Sequence, residues 1–211
     1  MAYDLEEQEQ IARFKGWWNQ YGMMVITIVT ACLVTVAAFQ AWRYYQQRQA
    51  AAASVLYQQL EQAGFANDHK RVRDIASQIT ANYGGTAYGP LAAFHAARAS
   101  VETGDLPGAK TQLKWVIDKA REDEFRDLAR LRLATVLLDE KNHAEALALI
   151  ESKPGEAFAG LYADLKGDIL AAQGKPAEAR AAYQLALDKS DAQSPYRAMV
   201  QAKLDALGDA K

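Results

Sequence analysis

The side chains of this chain that could do chemistry are three histidines, one cysteine and a short run of mixed acids and bases. A metal centre needs His, Cys or carboxylate ligands converging on one point, usually through short spacings on one helix or loop. His69, His95 and His143 are scattered, with no second histidine or cysteine at such a spacing. No metal site is expected. His95 reads as a packed residue of an Ala-rich helix, and His143 as part of a turn near a helix N-terminus. The single thiol, Cys32, lies in an apolar segment, so the chain can form neither an intramolecular disulfide nor a thiolate cluster nor a Cys-His pair.

The run Arg121 to Asp127 holds carboxylates close in sequence, as general acid-base catalysis would require. Adjacent residues on a helix point in different directions, so the run reads as a solvated helix start. No G-x-S-x-G elbow, phosphate-cradling glycine loop or H-E-x-x-H pattern occurs, and Gly84-Gly85 reads as a turn. The expectation is no catalytic residue and no cofactor. Net charge is -2 with both signs interleaved, which leaves no basic stripe for a phosphate backbone and excludes nucleic acid as a partner.

The elements around these residues are helical. Half the residues are apolar and only five are proline, a composition that favours an all-α chain. From Gly16 to Trp42 there is no charged residue. Tyr21 to Ala41 alone would rise roughly 31 Å as a helix, enough for a hydrocarbon core of about 30 Å. Trp17, Trp18 and Tyr21 at one end and Trp42, Tyr44 and Tyr45 at the other match the headgroup preference of amphipathic rings and form the expected membrane anchor. A cleaved signal peptide, with Val36-Ala37-Ala38 as its processing site, is disfavoured by the acidic start (Asp4, Glu6, Glu7, Glu9), the length of the run and the second aromatic belt. Orientation is a tie, because Arg13 and Lys15 on one side balance Arg43 and Arg48 on the other. Within the span Thr27, Ala31, Thr35 and Ala38 form one stripe of small side chains, a possible contact face for another helix.

After the span, Val55, Leu56 and Leu60 continue a helical pattern, and Val72, Ile75, Ile79 and Tyr83 give an apolar face ending at the helix stop Gly84-Gly85. A helical pair therefore opens the domain. Further on, one unit recurs. In Leu165 to Leu187, Gly167 permits close helix approach, Gln173-Gly174-Lys175-Pro176 makes the turn, and Glu178-Ala179, Tyr183 and Ala186 pack the second helix. About 33 residues earlier, Leu133, Ala134 and Leu137 precede Lys141-Asn142-His143 and Glu145-Ala146. A third copy, Ala96-Ala97, Gly104-Asp105, Ala109, Leu113 and Val116, stands about 37 residues further upstream. The unit resembles a degenerate tetratricopeptide repeat, with Ala93, Arg130 and Ala163 where a bulky first-helix aromatic is usual. Ser194-Pro195 and then Met199, Val200, Leu204 and Leu207 read as a terminal capping helix.

By the repeat register the first helices turn Phe94, Arg98, Val101, Leu131, Thr135, Leu138, Asp164 and Asp168 to a concave partner groove. The same residues read equally well as core of a tightly wound domain. The flanks of the span, Glu7 through Gly22 and Trp42-Arg43-Tyr44-Tyr45, together with Ala53-Ser54-Val55-Leu56-Tyr57 and Tyr83-Gly84-Gly85-Thr86-Ala87-Tyr88-Gly89-Pro90, resemble the YfgM family in their order along the whole chain. That resemblance implies a single-pass protein of the bacterial inner membrane and an ancillary subunit of the SecYEG translocon. It implies a cytoplasmic tail (1–20), a transmembrane helix (21–42) and a periplasmic, right-handed tetratricopeptide-like repeat domain (43–211) with its capping helix. The implied partners are SecYEG, the chaperone PpiD, unfolded or newly translocated polypeptides and membrane lipid, and the implied role is a scaffold that helps pass chains to periplasmic chaperones. Two alternatives stay open: a regulatory adaptor facing the cytoplasm, and a non-catalytic envelope assembly factor.

Overall fold

The computed structural model describes residues 2–191 and 193–208, with residues 2–6 and 8 described by backbone alone. Met1, Ala192 and residues 209–211, and so the outer ends of the expected tail and repeat domain, lie outside the described residues, as do the side chains of Asp4 and Glu6. The described residues form α-helices and one 3-10 turn, with no strand among them. They fall into two compact units, one ending at Gln49 and the other beginning at Ala50.

The first unit lies within helix α1 (Ala2–Phe65). It holds the apolar stretch, and α1 is the one described helix long and apolar enough to cross a membrane. Its apolar side chains are left outward: Met23, Leu33, Val34 and Phe39 are each more than half exposed. The core helix of a soluble domain would bury such residues, so this one needs an apolar solvent.

The second unit contains the last turns of α1 and then α2 (His69–Tyr83), α3 (Tyr88–Glu102), α4 (Leu106–Lys119), α5 (Asp123–Asp139), α6 (His143–Ile150), the 3-10 turn Glu156–Phe158, α7 (Ala159–Ala172), α8 (Pro176–Lys189) and α9 (Tyr196–Ala206). Four of its connections are one structure repeated. Each first helix ends at a residue in the left-handed region: Asn67 at φ 54°, Gly104 at 75°, Lys141 at 61° and Gly174 at 73°. In each, the next backbone N–H donates to a carbonyl five residues back: Asp68 to Ala63 (2.9 Å), Asp105 to Ser100 (2.8 Å), Asn142 to Leu137 (2.8 Å) and Lys175 to Leu170 (3.0 Å). This ties off the helix C-terminus. The same Asp68, Asp105 and Asn142 then accept from the backbone N–H groups of Arg71, Gly108 and Glu145, capping the second helix. In the last copy Lys175 offers no cap and Pro176 starts the helix instead.

The described residues therefore hold four repeats. The opening pair formed by α1 and α2 is a full copy, its Asn67 standing about 37 residues before Gly104. The structure also refines the Gly84-Gly85 stop. Gly84 keeps right-handed geometry (φ -56°), and its role is contact: a Cβ there would meet the Trp115 ring at 3.0 Å, and one on Gly89 would meet the Gly84 carbonyl oxygen at 2.6 Å.

Three apolar clusters run through the stack. Leu60, Val72 and Ile79 pack on Ala92 and Ala96 of α3. Ala93 and Phe94 on the other side of α3 join Leu113, Val116, Leu133 and Leu137, and this cluster extends to Tyr162 and Ile169 of α7. Ala163 and Leu170 of α7 then meet Tyr183, Leu187 and, from α9, Val200 and Leu204. Helices α3 and α7 are buried on two faces, which explains why they are rich in Ala: small side chains allow two neighbours to approach. No repeat closes a core by itself.

Candidate partner-binding surfaces

The span carries two of the expected surfaces. Trp17, Trp18, Tyr21, Trp42, Tyr44 and Tyr45 are all exposed. At the N-terminal end the rings form a ladder, with Trp17 and Tyr21 centroids 6.0 Å apart. Trp18 lies over Gly22, where a Cβ would stand 3.1 Å from the indole. At the other end the Arg43 guanidinium sits 5.9 Å from the Phe39 ring and that of Arg48 4.9 Å from Tyr44. Cation and ring together suit a membrane interface. Along the stripe, Thr27 donates to the Met23 carbonyl and Thr35 to that of Ala31, both at 2.8 Å, so these hydroxyls are satisfied inside the helix. Thr27, Ala31 and Thr35 border one shallow depression with Ile26, Thr30 and Val34.

The eight residues expected to line one groove separate into three groups. Phe94 is buried in the central cluster, yet its ring also borders a cavity of about 220 Å³ with Leu91, Phe125 and Leu128. Arg98 borders that cavity and is largely exposed, donating to Glu102 at 2.8 Å. Val101 is exposed and borders neither this cavity nor its neighbour. Leu131 and Leu138 pack against the central core, while Thr135 between them faces out and bonds the Leu131 carbonyl at 3.0 Å.

Asp164 and Asp168 are not lining at all, because α9 takes them up. Lys203 donates to Asp164 at 2.9 Å and to Asp168 at 2.7 Å, Tyr196 donates to Asp164 at 2.7 Å, and Tyr183 donates to Asp168 at 2.8 Å. A carboxylate as buried as Asp164 requires such compensation. Burial, and then the hydrogen bonds to the aspartates, push the Tyr183 and Tyr196 phenols well above their ordinary range. Burial opposes the charge on Lys203, but its bonds to Asp168 and Asp164 outweigh that and raise the amine.

Two residues missed at the sequence level border the open cavity. Arg132 holds its guanidinium 4.7 Å from the Phe94 ring, and Phe125 sets its ring 6.2 Å from that of Phe94. Burial, reinforced by Arg98, lowers the Arg132 pKa. Next to them, His95 meets the Tyr57 hydroxyl at 3.0 Å, and burial lowers the imidazole and raises the phenol. His95 and Arg98 also border a second cavity, of about 280 Å³, with Glu61, Phe65, His69 and Glu102. Phe65 is 88% exposed at its edge.

The run Arg121 to Asp127 is only partly solvated. Asp127 is buried, accepting from the Gly155 backbone at 2.8 Å and from Arg130 at 2.9 Å, while Tyr162 donates to its carbonyl at 2.9 Å. Asp127 thus ties α5 to the segment after α6, and Arg130, where an aromatic is usual, pairs with that carboxylate from one turn along the same helix.

Residues 15–209 match the family model described as a tetratricopeptide repeat-like domain. A protein of Neisseria gonorrhoeae named "Ancillary SecYEG translocon subunit" is 30% identical over 98% of this chain and 100% of its own length. Proteins of the same name from Haemophilus influenzae (29%, covering 88% of this chain and 91% of theirs) and Escherichia coli (28%, 95% and 96%) are similar over nearly the same extent.

Proposed function

The chain belongs to the tetratricopeptide repeat-like family and to the ancillary SecYEG translocon subunits, and on that premise we propose that it is a non-catalytic, membrane-anchored scaffold of the translocon. The observation that carries this reading is the open surface bordered by Phe94, Arg98, Phe125 and Arg132, whereas Asp164 and Asp168 of the last repeat are already occupied by Lys203. Repeat domains bind polypeptide on such surfaces.

In this reading α1 holds the chain in the inner membrane, with the tail (1–20) in the cytoplasm, the span at 21–42 and the repeats (43–211) in the periplasm. The belts at Trp17, Trp18, Tyr21 and Trp42, Tyr44, Tyr45 contact lipid, and the stripe at Thr27, Ala31, Thr35 and Ala38 is a candidate contact with SecYEG. The repeats engage PpiD and newly translocated polypeptides and help pass them to periplasmic chaperones.

One experiment tests both sidedness and contact. A photo-crosslinking residue is placed at Thr135 or Arg98, which face outward; Leu131 and Leu138 support the core and are unsuitable. Crosslinks to SecYEG, PpiD or a translocating chain, with the C-terminal domain digested by protease added to spheroplasts, support the proposal. Digestion only after lysis would establish the cytoplasm-facing adaptor instead.

A further inference from the structure

The cavity between α3 and α5 has a composition that specifies more than general stickiness. At about 220 Å³ it is smaller than small-molecule sites of roughly 300–1,000 Å³. Phe94, Phe125, Leu91 and Leu128 give it apolar walls suited to one or two side chains. Two guanidinium groups border it, and they differ. Arg98 is answered by Glu102 at 2.8 Å. Arg132 has no carboxylate within ion-pair distance among the described residues; its cation is held over the Phe94 ring instead. Arg132 is exposed at the rim of the recess, so an acid of a bound segment can reach its guanidinium without breaking an existing ion pair. The site therefore offers an apolar recess beside one unanswered positive charge.

We infer that this cavity receives an apolar side chain of a partner polypeptide, with a neighbouring Asp or Glu of that polypeptide pairing with Arg132. The inference rests on reading this face as a partner-binding surface and names the chemistry of what it binds. Arg132, Phe125, Leu91 and Leu128 become specificity residues. Arg supplies a fork that matches a carboxylate in two parallel bonds, which Lys cannot do. Segments without an acid enter the recess but lose that pairing.

The test uses the full chain in phosphatidylcholine nanodiscs and fluorescently labelled Gly/Ser peptides carrying Phe-Asp, Phe-Asn or Ser-Asn at their centre, read by anisotropy. The Phe-Asp peptide binds about tenfold tighter than Phe-Asn, as a charge-assisted bond implies. Arg132→Gln removes that preference, and Arg132→Lys retains part of it. Equal binding of Phe-Asp and Phe-Asn to the unaltered protein, or a preference that survives Arg132→Gln, overturns the inference. So does Arg132-dependent binding of phosphatidylglycerol vesicles, or Arg132-dependent self-association, in place of the peptide preference. If Phe-Asn still outbinds Ser-Asn, the partner-binding reading survives and only the charge assignment falls. If no peptide binds, both fall.

Discussion

Substituting Gly167 with Ala should destabilise the repeat domain even though it improves the helix. A Cβ on Gly167 would lie 2.4 Å from Cε1 and 2.5 Å from Cδ1 of Tyr183, so the ring must retreat by about 1 Å to reach ordinary contact. That ring is fixed on three sides: it is buried, its hydroxyl donates to Asp168 at 2.8 Å, and the Lys203 ammonium stands 5.8 Å from its centroid. Overpacking of this kind costs about 2 kcal/mol. Losing a hydrogen bond to a carboxylate adds about 1.5 kcal/mol, taken at the low end because Asp168 is partly exposed. The gain in helix propensity returns about 1 kcal/mol. The net loss, about 2.5 kcal/mol, should lower the melting temperature by about 5–10 °C. Urea unfolding of the full chain in detergent, followed by circular dichroism, measures it. In a Tyr183→Ala background the clash is gone and only the propensity gain remains, so the same substitution should stabilise by about 1 kcal/mol. The reasoning fails if Gly167→Ala is neutral or stabilising in the parent, or if it costs the same in both backgrounds.

Lys203→Met removes the cation from buried Asp164 and should cost about 3 kcal/mol, with α9 becoming protease-sensitive before the other helices. An unfolding free energy from urea titration within about 0.5 kcal/mol of the parent would show that the cluster does not hold the cap. The pH dependence has a definite sign. The Lys203 amine is raised above its ordinary 10.5 in the folded state, so its contribution is complete below that value and disappears as pH rises through the folded pKa. Alkaline titration should therefore narrow the gap between parent and variant. In α3, burial depresses His95, which also faces Tyr57, Glu61, Arg98 and Arg132. The unfolded chain takes up the proton first as pH falls below the ordinary 6.5, so stability is complete above that value and declines beneath it. Thermal melts from about pH 7.5 to about pH 5.5 should show the decline, and His95→Gln should flatten it; an unchanged slope in the variant would place the effect elsewhere.

What the sequence disclosed follows from how far apart the interacting residues are. The span was legible because an uncharged run with aromatic ends depends on no tertiary partner. Gly104 and Gly174 announced two turns, since glycine is the usual residue where φ is positive. Lys141 adopts the same conformation with no local signal, so that turn was recognised by its spacing. Asn67, less conspicuous than a glycine, concealed the first repeat inside a plain helical pair. Burial of charge was the harder part. Asp127 looked solvated within an acidic and basic run, because its partner Gly155 lies 28 positions away. Asp164 and Asp168 looked like groove residues, because Lys203 lies 39 and 35 positions further on.

The last repeat and the central repeats treat their charged residues differently, and the contrast bears on function. In the last repeat the chain supplies its own counter-ion: Lys203 closes over Asp164 and Asp168, with Tyr196 and Tyr183 completing the bonds, so the surface is consumed by the cap. Between α3 and α5 no segment of the described chain does the same for Arg132, and the adjoining rings of Phe94 and Phe125 still border an open cavity. Arg132 is exposed, so its guanidinium stays free to pair with an acid brought by a bound segment. The same chain thus marks its C-terminal repeat as a structural terminus and its central repeats as the working surface, and stability and binding should separate accordingly: Lys203→Met should act chiefly on unfolding, and Arg132→Gln chiefly on peptide preference.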